Sequence, residues 1–523
     1  MATPSATESS PLLPHADVEP DARPAVLSQG RAAIVIMQVS GLTFFSTFCN
    51  GTIVIALPAI QRSLGLDKSL LVWPSSSYFL TAASCLLLAG SVADVVGNKR
   101  VILVGSFFAA LSALACGLAR TGGEMIAYRA IQGITYAAIT PSSVSIIANH
   151  VQKGRPRNMG FACMGFAQPV GLCTGLVLAG FLTDTIGWRS AFYLAAGISG
   201  LLFLIGIWVL PRDIGPETGP SIWKRIVVEI DVVGALVAST GLGLLSYVLA
   251  TLSQDIRNIY KTSSIVILVI TCLSVPLFAR WMHYREHNGR VALIPNSLWR
   301  SQVFTSLCIM VLLTNALANC MELYSSLFFQ EVQGSSAVRA SVQVAPSLAA
   351  GAIVSIATGM TAHWVSALWM LFISGVISTI APLLMAIIRI NQPYWQNALF
   401  AQILTPINCD VLFTLGLLII SDSFPRNMKA LSGAVFNTCA QLGVAVGMSV
   451  TQFIASSATN HSSYPDKSSP EALLQGYKAA FWTMFAWMNN ELHLTANDKT
   501  DGTLEYGHYY ETWYQALVKL WTA

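Results

Sequence analysis

Thirteen apolar runs, most of them near twenty residues long, constrain this chain more than any other feature. They lie near 33–59, 70–89, 101–118, 125–148, 159–182, 191–210, 232–251, 263–281, 304–328, 342–362, 365–388, 396–420 and 430–456. A helix of about 20 residues crosses the roughly 30 Å hydrocarbon layer of a bilayer. In oil, only helices and closed barrels satisfy their own backbone groups. Charged residues make up 10% of the chain, against roughly 25% in a soluble domain. A soluble enzyme or binding module is therefore excluded, and the fold class is an all-α polytopic membrane protein. A fourteenth run near 474–488 is broken by Gln475 and Lys478. Its fifteen residues reach only about 22 Å, so thirteen to fourteen transmembrane helices are expected, the last one short.

The rest of the chain divides around these runs. Residues 1–31, rich in Pro, Ser and acids, read as a disordered cytosolic tail. Spans are expected in 32–210, two further spans in 211–303, and the remainder in 304–488. Residues 489–523 turn polar and then aromatic, as an interfacial helix or a misread gene end would. The ten cysteines fall inside apolar runs and read as packing residues, not as a disulfide framework. With the N-terminus inside, inner loops carry fourteen Lys and Arg and outer loops ten, which favours that orientation. The sequon Asn460-His-Ser462 then lies outside, as a glycosylation site must. The net charge of +4 and the lack of a basic stripe give no sign of nucleic-acid binding.

Three short patterns carry more information. Between the second and third runs lies Gly90-Ser-Val-Ala-Asp94-Val-Val-Gly97-Asn-Lys99-Arg100. Its glycines allow a tight turn, Lys99 and Arg100 hold it on the cytoplasmic side, and Asp94 needs a cationic or helix-terminal partner at the membrane edge. The fourth run opens Ile126-Ala-Tyr-Arg129-Ala-Ile-Gln132-Gly133. An arginine inside a membrane helix costs about 2.5–3.5 kcal/mol or more unless paired or hydrated. Arg129 shares a face with Gln132. It reads either as a snorkelling anchor or as a cation facing a water-filled cavity, available to a carboxylate. The fifth run contains Gln168-Pro169-Val-Gly171-Leu-Cys-Thr-Gly175. Its proline breaks the hydrogen-bond ladder and its small residues let helices touch, as static packing or as a rocking interface between two halves.

Together these stretches resemble the major facilitator superfamily: Gly90–Arg100 its hairpin motif, Arg129–Gly133 its fourth-span motif, and Pro169, Gly171 and Gly175 its antiporter motif. Thr52-Ile-Val-Ile-Ala-Leu-Pro58, Gly187-Trp188-Arg189-Ser-Ala-Phe192-Tyr193 and Gln330-Glu-Val-Gln-Gly334 resemble the fourteen-span drug:proton antiporter branch, fungal-type efflux transporters in particular. The chain departs from that pattern in places. Asn50 stands where the branch usually has an acid, Val95 and Asn98 where arginines are common, and the second-half hairpin Gly359-Met-Thr-Ala-His363-Trp lacks the acid.

Few acids lie at bilayer depth. Asp410 sits mid-span in Asn408-Cys-Asp410, and Glu322 toward the end of the ninth run. A buried Asp must be protonated, paired or wet; Asp410 is read as facing a cavity, and Glu322 as doing so or approaching the outer interface. Asn437 and Gln441, one turn apart, bond either substrate or neighbouring helices. His283-Tyr-Arg-Glu286-His287 fits a metalloprotease pattern but has no third ligand nearby, and there is no phosphate-binding loop. No enzyme activity, metal or cofactor is expected.

The resemblance implies two six-helix bundles with two extra central spans, working by alternating access. It implies export of a small organic compound (a drug, toxin or secondary metabolite) in exchange for protons. Asp410, Glu322, Asn50, Arg129 and Gln132 would serve coupling or the cavity, and Gly90–Arg100 the gate. A proton-independent or importing transporter and a non-transporting receptor are the alternatives. The protein is expected as a monomer in the plasma membrane, with vacuolar or vesicle membrane as alternatives.

Overall fold

The computed structural model describes residues 27–67, 70–152, 155–211, 231–254, 261–288, 294, 296–361, 364–423 and 429–497. The first 26 residues, the 212–230 linker, His363 and the aromatic tail beyond Asn497 lie outside the described residues.

The first half contains α1 (Gln29–Leu64), α2 (Trp73–Val96), α3 (Asn98–Leu118), α4 (Gly122–His150), α5 (Arg155–Thr185) and α6 (Arg189–Val209). Then come α7 (Val232–Gln254) and α8 (Thr262–His287). The second half contains α9 (Gln302–Leu327), which runs on as a π-turn over Phe328–Val332, α10 (Ala337–Thr361), α11 (Ala367–Ala386), α12 (Ala398–Leu404), α13 (Pro406–Ser423), α14 (Lys429–Asn460) and α15 (Pro470–Asn497). There is no strand among the described residues. Ten of these helical segments, all but α2, α4, α7 and α15 (α12 and α13 forming one), are long and apolar enough to cross a membrane.

Local chemistry sets several ends. Gly65, in the left-handed region at φ 62, stops α1. Thr121 caps α4 by accepting from the Glu124 amide, and Ser301 and Ser366 cap α9 and α11 in the same way. The hairpin hinge is shorter than its polar composition suggests. Helix α2 runs on through Gly90–Val96, and the reversal falls on Gly97 alone, at φ 112, a conformation open to glycine. The last helix is longer than expected. Its apolar stripe Phe481, Met484, Met488 and Leu492 continues past residue 488, and its 28 residues span about 42 Å, enough to cross a bilayer.

Within the first half α1 packs on α5, α2 on α4, and α3 on α4 and α6; in the second, α9 packs on α14 and α15, α11 on α15, and α10 on α13. The halves meet through α2 against α14 and α5 against α10. The extra pair is peripheral: α8 packs on α7, and α7 on α2 and α14. Asp231 pins that pair, accepting from Trp281 Nε1 at 2.8 Å and lying 3.9 Å from Arg285.

The apolar cores are not symmetric along the membrane normal. At the end expected to face outward, one cluster draws on both halves, including Ile53 and Leu57 of α1, Leu327 and Phe328, Val344 of α10 and Met484 of α15. Away from it, a cluster around Val35, Ile146, Ile147 and Leu210 contains first-half residues alone, while another joins Leu87 of α2 to Phe304, Leu307 and Phe436 of the second half.

Candidate functional site

Arg129 is the largest fully buried side chain, with 0% exposure. Each guanidinium nitrogen has a partner: Nε donates to the Pro74 carbonyl at 2.9 Å, Nη1 to Gln132 Oε1 at 2.5 Å, and Nη2 to Asn50 Oδ1 at 2.5 Å. The cation lies 4.6 Å from the centroid of the Tyr78 ring. A void of about 20 Å³ beside Cys49, Tyr78 and Gln132, room for one water, adjoins it. This corrects the sequence-based picture of a cavity-facing arginine awaiting a carboxylate. Arg129 is enclosed in the first half and all three hydrogen-bond acceptors are neutral. With an amide at position 50, the buried charge is met by dipoles and a π-face.

The acids gather in the second half. Glu322 on α9 is half-buried, with Asp410 of α13 and Cys173 of α5 as electrostatic neighbours, so it lies toward the first half. The half-buried Asp410 carboxyl sits over Gly351 of α10, where an added methyl would come 2.6 Å from Oδ2, with Ser355 of the same helix as a polar neighbour. A third acid escaped the sequence analysis. Glu491 of α15 is 1% exposed and accepts from Thr314 Oγ1 and Asn408 Nδ2, each at 2.7 Å. Its signal was available: Glu491 follows Met488 by three residues, on the same buried stripe of the helix. Cys409 has all three acids as electrostatic neighbours.

The small residues of α5 pack mainly within their own half. Gly171 and Gly175 lie directly on the α1 backbone at Phe44 and Phe48. They knit two helices of the same half, not the interface between halves; there α5 uses Gly180, whose added Cβ would lie 2.9 Å from Ser341 Oγ. Pro169 lies inside α5 and Gln168 is half-buried.

The halves are clasped at the outer end. Pro58 has no N–H, so the carbonyl of Val54, four residues back, lacks an intrahelical donor. Ser326 Oγ, from the other half, donates to it at 3.0 Å, and Gln330 Nε2 donates to the Ile55 carbonyl at 3.0 Å. The Ala337 and Val338 amides at the start of α10 donate to the Asp184 carboxylate of α5, at 3.3 and 3.0 Å, the favoured charge for a helix N-terminus. Tyr477 on α15 donates to Glu331 in the π-turn. In the adjoining loop Tyr394 donates to the Gln343 carbonyl at 2.8 Å, and burial pushes its phenol up to about 12, keeping it a neutral donor.

The remaining candidates are more dispersed. Lys99 Nζ donates to the Ile207 and Leu210 carbonyls, bracing α3 on the end of α6 within one half. Arg100 reaches the Val96 carbonyl at 3.5 Å, Gly90 sits near Pro141, and the Asp94 side chain lies outside the described residues. Asn437 bonds its own helix at Gly433. Gln441 reaches Tyr136 of α4 at 3.5 Å, across the halves. Asn460 is exposed where α14 ends. His283 and His287 stack on the exposed end of α8 with ring centroids 6.3 Å apart; among the described residues, no group of three or more His, Cys, Asp or Glu is placed to hold a metal.

Two helical halves, joined by a peripheral pair and clasped at one end, are the architecture of a transporter. The chain belongs to the Major Facilitator Superfamily, whose family model matches residues 39–448. It is a multi-pass, non-enzymatic membrane transporter. It is 35% identical to MFS-type transporter 1 of Pyricularia oryzae over 92% of this chain and 86% of that one. It is 28% identical to the methylenomycin A resistance protein of Bacillus subtilis over 82% of this chain and 88% of that one. Among solved structures, a bacterial homologue of the human lysosomal transporter Spinster shares the fold, with TM-score 0.64 and 13% identity over 90% of this chain and 97% of that one.

Proposed function

We propose that the protein exports small organic compounds by proton-coupled alternating access, with Asp410 as the principal proton carrier and Glu322 beside it. The observation that carries this reading is the pair of acids half-buried on the second half, neighbours of each other, with Glu322 close to Cys173 of the first. Ionised carboxyls there are expensive, so a change of protonation can bias which way the halves rock. The resistance named for the Bacillus relative supports export of a drug-like compound. The outer end joined through both halves fits an inward-facing state, and Asp94 would brace the cytoplasmic closure in the opposite one.

The test is transport of a compound panel into acid-loaded inside-out vesicles. Gradient-driven uptake is expected, and Asp410→Asn should abolish it while the protein stays in the membrane. Full activity of that variant with an unchanged pH dependence would end the coupling role. A second reading, a proton-independent or importing transporter, draws on Asn50, which leaves Arg129 with neutral acceptors. Transport that ignores the gradient in the same vesicles would favour it.

A further inference from the structure

We propose that Glu491 is a positioning residue for Asp410: through Asn408 it sets how α13 presents that acid to the interface. The functional weight of this inference rests on the reading of Asp410 above; the placement itself does not.

The case begins with a proline joint inside one span. Helix α12 stops at Leu404 and α13 starts at Pro406. Thr405 between them is still helical, at φ −54 and ψ −50, but Pro406 brings no N–H to the ladder, so the joint has one backbone bond fewer than an unbroken helix. Side chains reinforce it. Ser378 Oγ donates to the Leu404 and Thr405 carbonyls, at 3.1 and 3.0 Å. Asn408, 0% exposed, then uses both ends of its amide. Its Oδ1 accepts from Ser374 Oγ of α11 at 2.8 Å. Its Nδ2 donates to Glu491 Oε1 of α15 at 2.7 Å and to Thr314 Oγ1 of α9 at 3.2 Å. Thr314 in turn donates to Glu491 Oε2 at 2.7 Å. Asn408 is thereby tied to three helices, and Glu491 closes the ring.

Asp410 lies two residues on, about 200° round the helix. Fixing Asn408 toward α9, α11 and α15 therefore turns Asp410 the other way, toward Gly351 and Ser355 of α10. The titratable groups beside it are Glu322 on α9 and Cys409 on α13; Glu491 of α15 neighbours Cys409 and, with Ser374 of α11, faces Asn408 instead. Helix α14 meets α13 through Phe436 against Phe413, 5.8 Å between centroids. A rotation of α13 would change the distance between Asp410 and Glu322, and with it the pH at which Asp410 takes a proton.

The role asked of Glu491 is hydrogen bonding, not charge. A glutamine there can accept from Asn408 through its oxygen, while the Thr314 hydroxyl turns to accept from its amide. An alanine can do neither.

The experiment labels the full-length protein in liposomes with dicyclohexylcarbodiimide, which attacks protonated carboxyls in apolar surroundings, across a pH series. Mass spectrometry reads the fraction modified at Asp410. Glu491→Ala is expected to displace the pH of half-labelling by at least about threefold in proton concentration, and Glu491→Gln to restore the wild-type value. Thr314→Val, which keeps the shape, removes the two Thr314 bonds and leaves the Asn408–Glu491 bond in place, should displace it in the same direction by less. It serves alone if the alanine variant does not fold. An unmoved Asp410 profile in a folded Glu491→Ala or Thr314→Val protein overturns the proposal. So does a Glu491→Gln profile displaced as far as that of Glu491→Ala, which would make the charge the active element. Labelling needs no substrate and no gradient. Failure of Asp410→Asn to uncouple transport would therefore remove the proton-coupling reading and leave this measurement standing.

Discussion

Arg129 donates to the side-chain oxygen of Asn50 across 2.5 Å, and the acceptor is an amide. The interaction joins α4 to α1 without a second charge, so it does not switch with protonation of residue 50. It also meets a strict requirement, since a buried N–H left without an acceptor costs about 1–3 kcal/mol.

Asn50→Ala removes that acceptor. It should lower the thermal unfolding midpoint of the detergent-solubilised protein by an amount equivalent to about 1–3 kcal/mol. Asn50→Asp keeps an acceptor and should retain folded protein. An alanine variant that melts with the wild type would show that the bond to Asn50 contributes nothing.

The α1–α5 contact makes a harsher prediction. A Cβ at Gly175 would come 2.9 Å from the Phe48 Cα, which is backbone and cannot swing aside. Gly175→Leu should cost at least about 1–3 kcal/mol and reduce the monodisperse peak in fluorescence size-exclusion chromatography. Gly165→Ala on the same helix, where an added Cβ meets nothing within 4 Å, is the control. Equal profiles for the two would contradict the packing described.

Ser326 and Gln330 hold the outer end shut in this state. Ser326→Ala and Gln330→Ala should each loosen it by about 0.5–1.5 kcal/mol, a two- to tenfold rise in the outward-open population. The readout is the labelling rate of Leu57→Cys, a position with 0% exposure in the shared apolar cluster, by an impermeant maleimide in a background without other cysteines. Unchanged rates in both variants would remove the clasp.

Asp94→Ala tests the opposite end. Loss of the cytoplasmic brace should favour the inward-open state, and the same Leu57→Cys probe should label more slowly. Unchanged labelling would deprive Asp94 of a gating role.

Much of the architecture could be read before any coordinates, because bilayer thickness forces apolar runs of one length. Side-chain direction was harder to read. Gly171 and Gly175 advertise close contact, but spacing alone cannot say that the neighbour is α1 and not the other half. Arg129 advertises a partner, and only the fold shows that Asn50 and Gln132 supply it. Glu491 was missed because Asn489, Asn490 and Glu491 look like the end of a span when hydropathy is averaged. The three-residue step from Met488 carries the acid back into the protein, onto Asn408 and Thr314. Asp184 was passed over for a similar reason: a carboxylate at a helix end reads as solvated until an unpartnered N-terminus is brought to it.

The carbonyl that Pro58 leaves open has a mechanical consequence. In the clasped state Val54 is satisfied by Ser326; when the halves part, the same oxygen faces incoming water and can accept from it instead. The exchange of one donor for another leaves no buried acceptor unmet on either side of the motion. The proline thus gives the outer mouth a bond that can be broken and remade without stranding a backbone oxygen.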